Sequence, residues 1–339
     1  MRYRFSLILL AFMLGVSGQD LPDLTNYQHN WLIFNPAFTG SRDLLSVSFF
    51  SKDNAILHPG IPAPKYFQAG FHTPFKKLTK NAWGLSYFNE KEPGIGLLGF
   101  NFSDPVPMIH HNVTGYYAHK VRVFGGQLSL GMAAIVSNER IDNSGLDPRQ
   151  SPDPLFLVDI EPSWNINFGA GALFYRSNFF AAISVPRLLE PITLAGGYTG
   201  NLNPADTAGL GIVPISQGSV LSNYNFMLTA GNQFELVPGQ LTLYPSFLAG
   251  YIPSAELRDL NYMLSLNVGV LDEKIWVGAI YKSANEIALN INFEVSKILL
   301  GLSWDFPLSS TPGYFDNAFE IIVRWDNLTK VVSKAPFYF

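Results

Sequence analysis

The chain contains no cysteine. That excludes disulfides, thiolate metal sites, thiol catalysis and a lipid anchor on an N-terminal cysteine. Charge is scarce too. Asp, Glu, Lys and Arg make up 14% of the 339 residues, where an ordinary soluble protein has about a quarter. A net charge of −4 leaves no basic footprint for nucleic acid. No apolar run is long enough to cross a bilayer as a helix, which takes about 20 residues. No G-x-S-x-G, H-E-x-x-H, Walker or EF-hand loop pattern occurs, so no nucleophile is singled out and no cofactor is implied. The six histidines include one adjacent pair, His110-His111. Neighbours on a strand point to opposite faces, so that pair cannot hold one metal ion.

What is present is alternation. From Glu286 to Val295 the apolar residues Ile287, Leu289, Ile291, Phe293 and Val295 interleave with Glu286, Ala288, Asn290, Asn292 and Glu294. Period two means a β-strand with two chemically opposite faces. Ten residues also suit a tilted membrane strand, which needs about 9–11. Asn261 to Val270 repeats the pattern, with Asn261, Ser265 and Asn267 opposite Tyr262, Leu264, Leu266 and Val268. So do Asn165 to Phe174, with Asn165 and Asn167 opposite Ile166 and Phe168, and Asn223 to Ala230, with Asn223 and Asn225 opposite Tyr224 and Phe226. A large secreted all-β protein would alternate as well, but its polar face would carry many Lys, Glu and Arg. Here that face is Asn, Ser, Thr and Gly. The pattern predicts an all-β, antiparallel, up-and-down transmembrane β-barrel whose polar face lines the lumen. Aromatic residues at 14% suit interfacial girdles, and 29 Gly with 23 Pro suit many turns.

Basic residues at Arg2 and Arg4, an apolar run from Leu7 to Val16 and then Ser17-Gly18 read as a signal peptide over 1–18. Residues 19–42 form an N-terminal periplasmic or lumen segment, either an ordered turn leading into the wall or a piece docked in the lumen. The barrel occupies 43–326 and a periplasmic tail 327–339. Strands are expected at 43–51, 65–73, 81–89, 109–121, 125–136, 165–176, 178–186, 223–236, 240–251, 258–270, 274–282, 286–295, 298–304 and 317–326, about 14 in all. Connections after even-numbered strands are mostly short. Those after odd-numbered strands are mostly long, with the link at Ser283-Ala284-Asn285 the exception. That is the asymmetry of short periplasmic turns and long extracellular loops. Export without a transmembrane helix places the protein in a Gram-negative outer membrane, in contact with its lipid.

The inward carboxylates Glu286 and Glu294 lie on one extended strand about 27 Å apart, too far to act on one bond. The terminal Phe339 resembles a barrel-assembly signal, but Pro336 breaks the alternation, which puts the tail outside the wall.

A series of fragments resembles one family. Asn35-Pro36-Ala37-Phe38-Thr39-Gly40-Ser41-Arg42 is similar to an N-P-A-[YF]-x-G-[ST]-R start. Further fragments follow in order: Gly60-Ile61-Pro62-Ala63-Pro64, His72-Thr73-Pro74, Ser184-Val185-Pro186, Tyr244-Pro245-Ser246 and Gly301-Leu302-Ser303-Trp304-Asp305-Phe306-Pro307-Leu308-Ser309. Together they resemble the PorP/SprF outer-membrane proteins of type IX secretion and gliding motility. The family's W-x-G is missing, and Ala55-Ile56-Leu57-His58 stands there instead. The resemblance implies a barrel without enzymatic activity. It would help export or anchor a secreted surface protein, often a large adhesin, bearing a type B C-terminal domain, or would associate with the ring or translocon of the secretion machine. It assigns structural weight to Asn35, Pro36, Ala37, Gly40, Arg42, Pro64, His72, Pro74, Pro186, Pro245, Asp305 and Pro307 and names no catalytic residue. Asp206-Thr207-Ala208 looks like the O-glycosylation tripeptide of such bacteria. The competing reading is an outer-membrane diffusion channel or hydrophobic-solute transporter.

Overall fold

A computed structural model describes residues 24–42, 44–53, 65–75, 78–92, 108–141, 163–188, 226–253, 258–271, 274–308 and 317–327. Fifteen β segments form one antiparallel sheet that closes on itself: β1 (Leu45–Asp53), β2 (Lys65–Phe75), β3 (Leu78–Glu92), β4 (Met108–Val123), β5 (Gly126–Ile141), β6 (Ser163–Arg176), β7 (Phe179–Val185), β8 (Phe226–Asn232), β9 (Phe234–Val237), β10 (Leu241–Pro253), β11 (Arg258–Val270), β12 (Ile275–Lys282), β13 (Glu286–Val295), β14 (Ile298–Pro307) and β15 (Phe319–Asn327). β8 and β9 are one wall strand interrupted at Gln233, and both pair with β10. The wall therefore has fourteen strands, as the alternation predicts. The ring closes where β15 pairs with β1, Arg324 opposite Ser48. Closure leaves no sheet edge, the condition for a β-structure in lipid.

The strands run longer than the sequence suggests at several ends. β1 extends to Asp53, β3 covers Leu78–Glu92 and β14 reaches Pro307, because the neighbouring backbones continue to pair. The connection expected to be long between Tyr251 and Leu257 contracts to 254–257, since β10 and β11 stay paired out to Pro253 opposite Arg258. The remaining asymmetry holds. Short links at 76–77, 124–125, 177–178, 238–240, 271–274 and 296–297 share one end of the wall, and the long connections leave from the other. The Phe124-Gly125 link has φ of 49° and 75°, the left-handed pair of a type I′ hairpin.

The two faces of the wall differ as the alternation requires. Outward side chains include Trp83, Leu85, Met132, Ile166, Phe168, Leu266, Val277 and Leu289, all exposed. A continuous apolar surface of this kind is stable against lipid rather than water. Inward side chains are buried, and many are small or polar, such as Ser86, Thr114, Ser129, Ser184, Thr229, Ser246, Ser265, Asn267, Asn290, Asn292 and Ser303, beside large apolar ones such as Phe50, Phe180, Tyr244 and Trp276. Their burial has a definite cause, because the lumen is filled.

Candidate functional site: the occupied lumen

Residues 24–42 lie inside the ring of strands. Leu24, Tyr27, Trp31, Leu32, Phe34, Ala37 and Phe38 are buried there and join the wall's inward residues in one apolar cluster. The local fold follows from Asn35-Pro36. A residue before proline is pushed to extended backbone, and Asn35 has φ −153° and ψ 115°. Pro36 then opens a 3-10 turn, Pro36–Phe38, whose Ala37 N–H is accepted by the Asn35 side chain at 2.8 Å. The Asn35 amide donates onward to the backbone oxygens of Ile183 (3.2 Å) and Ala172 (3.4 Å). Ser184 Oγ donates to Phe34 O at 2.6 Å. A helical turn, Trp31–Phe34, carries the Trp31 ring onto Phe38, stacked at 4.8 Å, with Phe180 edge-on at 5.5 Å.

Two bare backbones in the wall receive this turn. A Cβ at Gly131 would strike the Pro36-Ala37 peptide, and one at Gly171 would strike the Asn35 side chain. Gly40 turns the chain with φ +65°. Its N–H donates to His72 Nδ1 at 3.0 Å, and its carbonyl accepts from Lys120. Arg42 ends the segment on Asp326 at 3.1 Å, and Asp326 also accepts from Ser46 (2.7 Å) and Arg324 (3.2 Å). This cluster sits near the short-turn end of the wall.

The first half of the segment is held by polar contacts. Gln28 Nε2 donates to Ser246 (2.7 Å) and Ser265 (2.8 Å), and Asn267 donates to Gln28 Oε1 at 2.7 Å. Tyr27 OH shares a 3.0 Å hydrogen bond with Ser246, and burial pushes its hydroxyl up to about 12. His29 lies 3.4 Å from Arg324. Burial, and then the charges of Arg324 and Arg42, hold its imidazole well below the usual histidine range, so it is neutral at pH 7.

Near the loop end, Thr25 and Asn26 donate consecutive backbone N–H groups to Glu320 at 2.7 and 2.5 Å. The Thr25 hydroxyl donates to Asp305 at 2.6 Å, and Asp305 also accepts from Lys52 (2.9 Å) and Lys282 (2.7 Å).

The positions singled out in the sequence fall into groups. Asn35, Pro36, Ala37, Gly40, Arg42, His72 and Asp305 meet at the contact between segment and wall. Asn267 and Asn290 contact Gln28 and Asn26. Asn292 is buried, its oxygen over Gly301. Asn167 is buried and accepts the Leu188 N–H at 3.0 Å just past Pro186, a local tie. Asn165 and Glu294 are half-buried, Asn261 accepts from Ser283 at 3.5 Å, and Glu286 lies 3.5 Å from Lys282. Pro74 sits at a register shift in β2, Pro245 in mid-β10 and Pro307 at the end of β14. Pro64, Thr207, Asn223, Asn225, the signal segment 1–18 and residues 328–339 of the tail lie outside the described residues. Thr25, Gln28, Lys52, Lys282, Arg324 and Asp326 also hold the segment, and no motif in the sequence marks them. A charged residue in the lumen phase of a membrane strand was the available signal for the last four.

A closed wall with an apolar outer belt and an occupied interior defines an outer-membrane β-barrel. A family described as type IX secretion system membrane protein PorP/SprF matches residues 16–325, and the chain belongs to that family. It is thus an outer-membrane component of type IX secretion, in a family of secretion barrels rather than of enzymes. No curated protein matches the sequence. Among solved structures, the chain is similar to Omp33 of Acinetobacter baumannii at 8% identity and TM-score 0.42, covering 85% of this chain and 100% of that one. It is similar to a Pseudomonas aeruginosa FadL homologue at 12% identity and TM-score 0.47, covering 87% and 93%. Outer membrane phospholipase A of Escherichia coli follows at 11% and 0.31, covering 86% and 98%.

Proposed function

We propose that this barrel binds a secreted cell-surface protein bearing a type B C-terminal domain and helps to export it or anchor it on the cell surface. The observation that carries the reading is the occupied lumen. Leu24, Tyr27, Trp31 and Phe38 are fully or nearly fully buried inside the wall, which leaves a dock for a partner rather than a conduit for solutes. The long connections at the loop end (54–64, 93–107, 142–162 and 186–225) offer the partner its surface. The inward Asn and Ser residues serve the chain's own N-terminal segment, so the loops carry most of the partner contact. In this reading residues 1–18 direct Sec export and are removed, 19–42 form the lumen segment, 43–326 the wall and 327–339 a periplasmic tail. Thr207, in the longest connection, is the O-glycosylation candidate, and a glycopeptide search that finds it unmodified removes it.

Gentle detergent extraction of the tagged barrel from its own host, followed by mass spectrometry, tests the function. A stoichiometric secreted protein held through its C-terminal domain supports anchoring. Ring or translocon components alone move the barrel into the secretion machine. A partner-free barrel that conducts ions in planar bilayers would refute docking in favour of a diffusion channel or hydrophobic-solute transporter.

A further inference from the structure

The two halves of the lumen segment are held by different chemistry. From Trp31 to Arg42 the contacts depend on particular side chains: stacked rings, a proline turn pressed onto Gly131, an asparagine pressed onto Gly171 and an arginine paired with Asp326. At Thr25 and Asn26 the short contacts are to the backbone and one hydroxyl, with the Asn26 amide oxygen 3.4 Å from Asn290 Nδ2. Glu320 takes two successive N–H groups and Asp305 takes the Thr25 Oγ1–H. Lys52 and Lys282 hold Asp305 in place. A peptide that turns here in the same way, with Ser or Thr at that position, satisfies the same four side chains.

The position also differs. Lys52 is one residue from the end of β1, Lys282 ends β12, Glu320 is second in β15, and Asp305 is two residues from the end of β14. All four lie toward the ends from which the long connections leave. Asn290, Ser303, Glu320 and Lys52 are directly paired across β13, β14, β15 and β1, forming one inward row beneath Thr25 and Asn26. In that row Asn290 Oδ1 and Ser303 Oγ, together with Asn26 Nδ2, are buried without a hydrogen-bond partner. Buried polar atoms are normally paired, so the present occupant leaves part of the site's binding capacity unused.

We infer that Lys52, Lys282, Asp305 and Glu320 form a peptide-binding site at the loop end of the lumen. The chain's own Leu24-Thr25-Asn26 fills it at rest, and a hydroxyl-bearing segment of the docked surface protein, turned in the same way, takes it over. The inference rests on the docking function proposed above and names where that partner's chain enters. The buried charges explain why the site is never left empty. Without Thr25 and Asn26 the buried Glu320 would lose both of its N–H donors, a costly state for a carboxylate out of water, so one peptide replaces another.

Because the chain has no cysteine, single cysteines report the exchange directly. Full-length Thr25→Cys and Ser41→Cys barrels in whole cells are exposed to an impermeant maleimide, with and without a synthetic peptide of residues 19–28. The peptide is expected to raise labelling at Thr25→Cys at least tenfold and to leave Ser41→Cys protected. A fluorescent form of the peptide binds the parent barrel saturably and at least tenfold more weakly to Asp305→Asn, with barrel folding checked by heat-modifiable mobility. No peptide effect at Thr25→Cys overturns the site. Joint exposure of both cysteines overturns it too, since the segment then leaves as one body. Capture of the surface protein by an Asp305→Asn barrel at the parental level would overturn the site while leaving docking intact. A parent barrel that captures nothing in its host, yet binds the peptide, would overturn docking alone.

Discussion

Replacing Gly131 by alanine adds one methyl group to the inner face of β5, and the structure leaves no room for it. Its Cβ would stand about 2.5 Å from the Ala37 Cα and closer still to the Pro36-Ala37 peptide. The obstructing atoms are backbone, so no side-chain rotation relieves the clash. Either β5 or the Pro36–Phe38 turn must move. Overpacking of this kind costs about 1–3 kcal/mol, and here it falls on the docked state of the segment, because the wall can keep the new residue once the turn withdraws. At about 1.4 kcal/mol per tenfold, the docked-to-undocked ratio drops roughly 5- to 150-fold. Gly115→Ala is the control. That glycine has nothing within 4 Å of an added Cβ, and an alanine in a strand is favoured over glycine by about 0.5–1 kcal/mol. Labelling of Ser41→Cys by an impermeant maleimide reads the difference, since Ser41 is buried at the end of the turn. The Gly131→Ala background should label at least fivefold faster than the Gly115→Ala background and show channel openings in planar bilayers. Equal labelling in the two backgrounds would refute the claim that the turn is seated on Gly131.

Further predictions concern the remaining anchors. Asn35→Ala removes the cap on Ala37 and leaves the Ile183 carbonyl without its side-chain donor, so segment docking should weaken by about 1–3 kcal/mol, read by limited proteolysis of the folded barrel. Asp326→Asn removes the carboxylate partner of two buried guanidinium groups, Arg42 and Arg324. Breaking a buried pair costs about 3–5 kcal/mol, whereas removing the exposed Lys65–Asp53 pair should cost under about 1 kcal/mol; thermal unfolding of the two variants separates these cases. For pH, the docked state binds His29 neutral, with its imidazole held below the value it has when undocked. Its contribution is therefore fully present above about pH 6.5. It is lost as pH falls toward the docked-state value, by up to about 1.4 kcal/mol per pH unit. Ser41→Cys labelling should rise between pH 7.5 and 5.5, and His29→Gln should flatten that rise. Phe124, at φ 49° and 96% exposed, sits where Asn is favoured in a type I′ turn. Phe124→Asn should raise the unfolding midpoint, and a fall would refute the turn assignment.

Most of the wall was legible in the sequence because its physics is local. Ile287 to Val295 must alternate whatever surrounds them, since neighbouring strand residues point to opposite faces and one face meets lipid. The same period placed fourteen strands and put Asn267, Asn290 and Asn292 on the inner face. The ends were less legible. β14 runs to Pro307 only because β13 offers Glu286 as a partner, a fact outside the strand's own residues. The Asn35-Pro36 turn was visible as turn chemistry and the lumen was one of its two open destinations, but its contacts on the wall were not legible. Nothing in the strands around Gly131 and Gly171 points to Ala37 and Asn35, which the fold brings against them from more than ninety residues away. The clamp of Lys52, Lys282, Asp305 and Glu320 draws on four different strands. Closure of the ring between β15 and β1 is what joins its parts, so only the tertiary structure could decide that these charges face one another and that the chain's own N-terminal segment lies between them.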